Sequence, residues 1–172
     1  MSGVRALLAL VALSAILGTV AVARGATPTT FDGRTPMTER VPSLTKRLAE
    51  ATKDLSYTSE TDAPVEPFEM KGFEGEKIGP ADLLAFLKRD ASTPVAERTA
   101  DDFFAPLTEE QDWYGDEEKA VAARFAELRK LLEDSLTDLR VFRVGDRDVD
   151  YYILGRSKRG EFEGVHTKAV ET

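Results

Sequence analysis

Leu44, Leu48, Ala51 and Leu55 recur at three- and four-residue spacing, with Lys46, Arg47, Glu50 and Lys53 off that face. This period marks one apolar side of a helix. Ser43 stands where its hydroxyl can cap the first turn, so a helix is predicted from Ser43 to about Ser56. Tyr57 to Pro64 is polar and is expected to be a loop. Val65 to Met70 predicts a short strand, which Pro67 confines to a sheet edge or a bulge because it cannot donate to a ladder. Gly79-Pro80 opens a second helix with Leu83, Leu84, Phe86 and Leu87 as core candidates.

Further along, Val95 to Arg98 predicts a short strand, and Asp101 to Pro106 a capped turn anchored by Phe103 and Phe104. The longest helix is predicted from about Asp116 to Leu136, with Val121, Phe125, Leu128, Leu132 and Leu136 as its buried stripe. Asp116, Glu117 and Glu118 at its start complement the helix dipole. The period then changes to two. Arg140 to Val144 alternates, Gly145-Asp146 turns, and Val149 to Leu154 is an apolar run suited to a central strand. Gly155 to Gly160 is expected as a turn and Glu161 to Ala169 as the last strand. Helices ahead of a strand meander predict an α/β (α+β) domain with helices covering a mostly antiparallel sheet.

The N-terminal end follows another pattern. Arg5 precedes an apolar run from Ala6 to Ala23 that closes on Ala21-Val22-Ala23, a small-residue cleavage signature. A signal peptide over residues 1–23 is therefore expected, and with it an extracytoplasmic location, periplasmic or secreted. The alternative is an uncleaved leader that tethers the protein to a membrane, since the run approaches spanning length. Residues 24–41 are rich in Thr, Pro and Gly without apolar period and are expected to be a disordered tether. The folded domain is assigned to 42–172.

Composition narrows the chemistry. The net charge of −8 opposes phosphate backbones, so direct nucleic-acid binding is not expected; Arg156-Ser157-Lys158-Arg159 reads as a solvated turn. The same charge suits a basic partner. There is no cysteine, and His166 is the single histidine, which leaves no thiol chemistry and no two-histidine metal motif. No cofactor and no metal of its own is expected. Carboxylate pairs such as Asp102 with Asp112, or Glu60 with Asp116, would carry an enzymatic alternative, but in a chain with 31 acidic residues such pairs arise by chance. No nucleophile elbow or phosphate loop accompanies them. The acidic segment Gln111 to Glu118 and the tail Thr167 to Thr172 instead read together as a surface made to occupy a cationic, metal-containing site in another protein.

The succession Asp102-Phe103-Phe104, Gln111-Asp112-Trp113-Tyr114, a long helix, Tyr152-Ile153-Leu154-Gly155 and the tail Thr167-Lys168-Ala169-Val170-Glu171-Thr172 resembles the nuclease A inhibitor-like family. These are small acidic proteins that inhibit a sugar-non-specific, magnesium-dependent ββα-metal endonuclease. The resemblance runs in order from about Ser43 to Thr172. It implies a three-layer α/β/α sandwich, a non-enzymatic inhibitor, and a free monomer that forms a one-to-one complex with its nuclease. It also implies that the blocking surface uses Glu60, Asp112 with Trp113, and Thr172, which would reach the partner's Mg²⁺ with Glu171 beside it. Two departures from the family pattern are the extra Pro67 after the Glu60 loop and His166 at a position where a small hydroxyl residue is expected. His166 is assigned no role.

Each of these residues has a plainer role to set beside that one. Glu60 can be a solvated loop acid, Thr172 a frayed terminus, and Trp113 an anchor that tucks its loop onto the long helix. The functional alternative to inhibition is an extracytoplasmic binding or scaffold module on the same fold.

Overall fold

The computed structural model describes residues 42–109 and 111–171. The expected signal peptide, the expected tether and Thr172 lie outside the described residues.

Helix α1 (Leu44–Thr52) starts where Ser43 Oγ accepts from Lys46 N at 3.3 Å, a cap worth about 1 kcal/mol. It stops four residues earlier than the period implies, and Leu55 is buried from the segment that follows. The expected loop after it is a two-stranded hairpin, β1 (Ser56–Thr58) with β2 (Asp62–Pro64). Three-residue strands are too short to show alternation. Their pairing relies on Tyr57 and Ala63 turning inward and on Val65 N donating to Leu55 O at 2.9 Å.

Strand β3 (Glu66–Glu69) is an edge of the main sheet, as Pro67 requires. Helix α2 (Pro80–Leu87) begins at Pro80, with Asp82 accepting from Gly79 N at 3.0 Å. Strand β4 (Val95–Arg98) forms the other edge. The expected turn at Asp101 to Pro106 is instead helix α3 (Ala100–Thr108). Its cause is a capping box: Thr99 Oγ1 accepts from Asp102 N at 3.0 Å, and Asp102 accepts in return from Thr99 N.

Helix α4 (Asp116–Ser135) runs directly into β5 (Leu136–Val144), which is followed by β6 (Asp148–Ser157) and β7 (Phe162–Val170). Every pairing in the order β3-β7-β6-β5-β4 is antiparallel. Strand β6 is central, as its apolar run predicts. It also runs through Gly155, so the expected Gly155–Gly160 turn is confined to its end, closed by Ser157 N donating to Glu161 O at 2.8 Å.

Alternation on the central strands divides the core in two. Val149, Tyr151 and Ile153 point to one face, with Val141, Val165 and Ala169, and pack against α1, α3 and α4. Tyr152 and Leu154 point to the other, with Phe142, Val144 and Phe162, and are covered by α2 and the segment from Met70 to Ile78. The domain is thus α+β with an antiparallel main sheet, as expected, and its two cores are compatible with the sandwich that the resemblance implies. A bulge between Thr137 and Arg140, with Asp138 at φ 52°, inserts one residue into β5. It lets Leu136 and Val141 face the same core despite their odd separation. In the stripe of α4, Val121 is exposed and Ala122 is buried in its place. Among the described residues, no helix is long and apolar enough to cross a membrane.

At Gly164 a Cβ would run into Ile153 O of the neighbouring strand, with the backbone in the ordinary negative-φ region. Gly164→Ala is expected to destabilise the domain by about 1–3 kcal/mol through forced strand separation, read from chemical denaturation. An unchanged midpoint would mean that β6 and β7 tolerate a wider spacing there.

Candidate functional site

Four aromatic rings set the frame. Tyr57 of the hairpin stacks on Phe103 of α3, with centroids 5.6 Å apart, and Phe103 meets Tyr151 of β6 at 5.2 Å and Phe104 at 5.1 Å. The hairpin, α3 and the central strand therefore share one buried cluster. Thr167 Oγ1, buried on β7, donates to Pro64 O at 3.1 Å and adds a polar bond between hairpin and sheet.

Glu60 is exposed at the hairpin tip. Ser59 Oγ donates to Thr61 O at 3.0 Å, which closes the turn, and accepts from Val170 N at 3.2 Å. The second bond moors the tip to the end of β7, one residue before Glu171. The hairpin tip and the C-terminal segment are thereby held side by side.

Glu171 is fixed on both carboxylate oxygens. Oε2 accepts from Arg143 Nη2 at 2.6 Å and Nε at 3.0 Å, and Oε1 accepts from Tyr151 OH at 2.6 Å. Its backbone N donates to Arg147 O at 3.0 Å. Arg143 is held in turn by Gly145 O and Asp146 O, both at 2.9 Å. The Arg143 guanidinium keeps the Glu171 carboxyl below its ordinary range, aided by the Tyr151 hydroxyl. Burial, with the Glu171 carboxylate beside it, pushes the Tyr151 phenol up to about 12, so it remains a donor across the ordinary pH range. Glu171 was expected to meet a partner; within the protein its side chain is bound to Arg143 and Tyr151.

Asp112 and Trp113 lie in the connection between α3 and α4, both exposed, with Trp113 at 78 %. The half-buried neighbour Tyr114 anchors this loop: its N donates to Gln111 O at 3.0 Å, and its ring meets Trp113 edge-on. Tyr114 also lines a groove of about 700 Å³ with Ser56, Thr58 and Asp62 of the hairpin and Glu117, Glu118 and Val121 of α4. The loop carrying Asp112 and Trp113 therefore borders the hairpin that carries Glu60, and the hairpin borders Glu171. Thr172 lies outside the described residues.

Ser59, Arg143 and Tyr151 hold this surface together, and none of them was identified from sequence. One signal was present: Arg143 stands between Phe142 and Val144, both apolar and both buried. Its cross-strand pairing with Tyr151 became visible only with the register.

A second polar cluster lies across the sheet. Asp150 accepts from Arg89 Nη2 at 2.8 Å and pairs with His166 Nε2 at 2.8 Å, while the His166 ring stacks on Tyr152 at 4.6 Å. His166, assigned no role from sequence, is thus held from two sides. Asp102 caps α3, accepting from Thr99 N and Thr99 Oγ1. Among the described residues, no group of three or more His, Asp or Glu side chains is placed to hold a metal ion.

Two outcomes are expected from this geometry. Trp113→Ala should leave thermal stability within about 0.5 kcal/mol of the parent, because an exposed ring contributes little to folding; a large loss would restore the anchoring role. Glu171 has a depressed folded pKa, so its contribution is present above the ordinary value of 4.5 and is lost as pH falls through the lower folded value. An NMR titration should show the Val170 and Glu171 amides shifting together in that acid window. Glu171→Gln should abolish the inflection with the aromatic core intact, and its persistence in the variant would assign it to another carboxylate.

A comparison with curated proteins gave no match. The sequence profile of the family described as nuclease A inhibitor-like protein matches residues 42–172, the segment that contains the whole main sheet and all four described helices. The chain belongs to the nuclease A inhibitor-like protein family.

Proposed function

We propose that this protein inhibits a magnesium-dependent, sugar-non-specific ββα-metal endonuclease, forming a one-to-one complex that blocks the active site without catalysis of its own. The observation that carries the proposal is the mooring of Glu60's hairpin to the C-terminal segment, through Ser59 and Val170, next to a clamped Glu171. Two segments more than a hundred residues apart in sequence are pre-organised as one surface, which limits the entropy lost on binding.

In this mechanism Glu60 and Asp112 offer carboxylates to the arginines or lysines that hold a substrate phosphate. Trp113 excludes water around those contacts, the role of an aromatic hot spot. Thr172, next in sequence after the clamped Glu171, brings hard oxygens to the nuclease's Mg²⁺ in place of a water. The net charge of −8 favours encounter with a basic active-site cleft. The protein needs no cofactor, and the proposal includes export: the apolar leader ending at Ala23 would direct the inhibitor to a nuclease outside the cytoplasm.

The test is titration of the purified protein into such a nuclease while DNA cleavage is followed. A sharp endpoint near equimolar is expected, abolished by deletion of Thr172 and weakened roughly 30-fold or more by Trp113→Ala. Absence of inhibition across a panel that includes nucleases of the same organism would leave an extracytoplasmic binding module on the same fold.

A further inference from the structure

The groove between the hairpin and α4 has an apolar floor and an acidic rim. Leu107 and Pro106 of α3 and Val121, Ala122 and Phe125 of α4 form the floor; Asp62, Glu117 and Glu118 supply the carboxylates, and none of the lining residues is basic. Val121, 44 % exposed, and Trp113, beside the lining residue Tyr114, are the large hydrophobic side chains left open to solvent among the described residues. Exposed apolar surface concentrated at one groove marks an interaction site more than scattered exposure does.

We infer that this groove receives an arginine side chain of the partner nuclease. Arginine has the required two-part chemistry: its aliphatic stem can lie along Val121, Ala122 and Leu107 while its guanidinium meets the rim carboxylates in charge-assisted hydrogen bonds. Its planar, weakly hydrated head suits a half-enclosed site better than the compact ammonium of lysine. Glu117 and Glu118 thereby gain a role beyond complementing the dipole of α4. The proposal extends the inhibitory surface from the hairpin tip and Trp113 loop onto the start of α4. The identity of the partner rests on the proposed inhibition, whereas the guanidinium preference of the groove does not.

The test separates the two. N-acetyl-arginine amide is titrated into the full chain while Trp113 fluorescence and the amide shifts of Tyr114 and Val121 are followed, with N-acetyl-citrulline amide as the uncharged isostere. Saturable millimolar binding of the arginine probe alone is expected. In the inhibition assay, the double variant Glu117→Gln/Glu118→Gln should weaken inhibition about tenfold or more. Glu50→Gln/Glu127→Gln, with the same charge change outside the groove, should weaken it less than threefold. Equal response to both probes, or equal effects of the two double variants, overturns the groove even where equimolar inhibition holds. Arginine-selective binding in a protein that inhibits no nuclease upholds the groove and sinks the inhibitor instead.

Discussion

Burial of β6 on both faces is the constraint on which this domain depends. A strand at the centre of an antiparallel sheet must send successive side chains into two different cores. Tyr151 and Tyr152, adjacent in sequence, therefore serve opposite layers. Tyr152 stacks on His166 beside Asp150, which binds the C-terminal side of α2 through Arg89. Tyr151 enters the aromatic cluster that seats the hairpin and α3, and its hydroxyl emerges from that cluster to grip Glu171. Loosening β6 would therefore disturb the surface as well as the core.

The surface follows from a division of labour among charges. Acidic groups on the hairpin, the Trp113 loop and the start of α4 lie at the exposed surface. Glu171 is drawn inward by Arg143, a partner made rigid by two backbone carbonyls. A half-buried pair of this kind, with two guanidinium N–H groups on one carboxylate oxygen, holds geometry better than an exposed pair does. The carboxylate bound to Arg143 and Tyr151 secures the segment just after β7, and the exposed ones are suited to contact. The sheet edges are restrained in a parallel way: Pro67 on β3 and the short, charged β4 discourage pairing with a second copy.

Much of this architecture was legible in the amino-acid order. Helices α1, α2 and α4 carry their signals locally, in apolar period and caps, and Pro67 and the apolar run of β6 announced edge and centre. The misplaced elements had weak or competing local signals. The hairpin is too short and polar to alternate visibly. The α3 capping box was present in Thr99-Ala100-Asp101-Asp102, but the apolar residues behind it, Phe103 and Phe104, are too few to show a helical period. Val121 and Ala122 exchanged places because the groove leaves one side of α4 uncovered, a matter of neighbours and not of period.

The sequence by itself determined the fold class, the family and the acidic character that limits the partners this protein can meet, because periodicity, capping and charge are properties of residues near one another in the chain. Only the tertiary structure decided which acids remain at the surface and which are consumed inside it. Arg143, Tyr151 and Glu171 acquire their relation through strand register and the return of β7 alongside β6. Ser59 reaches Val170 because the hairpin folds back against that strand's end. These are contacts between distant segments, and their physical basis is the packing of two cores around one strand.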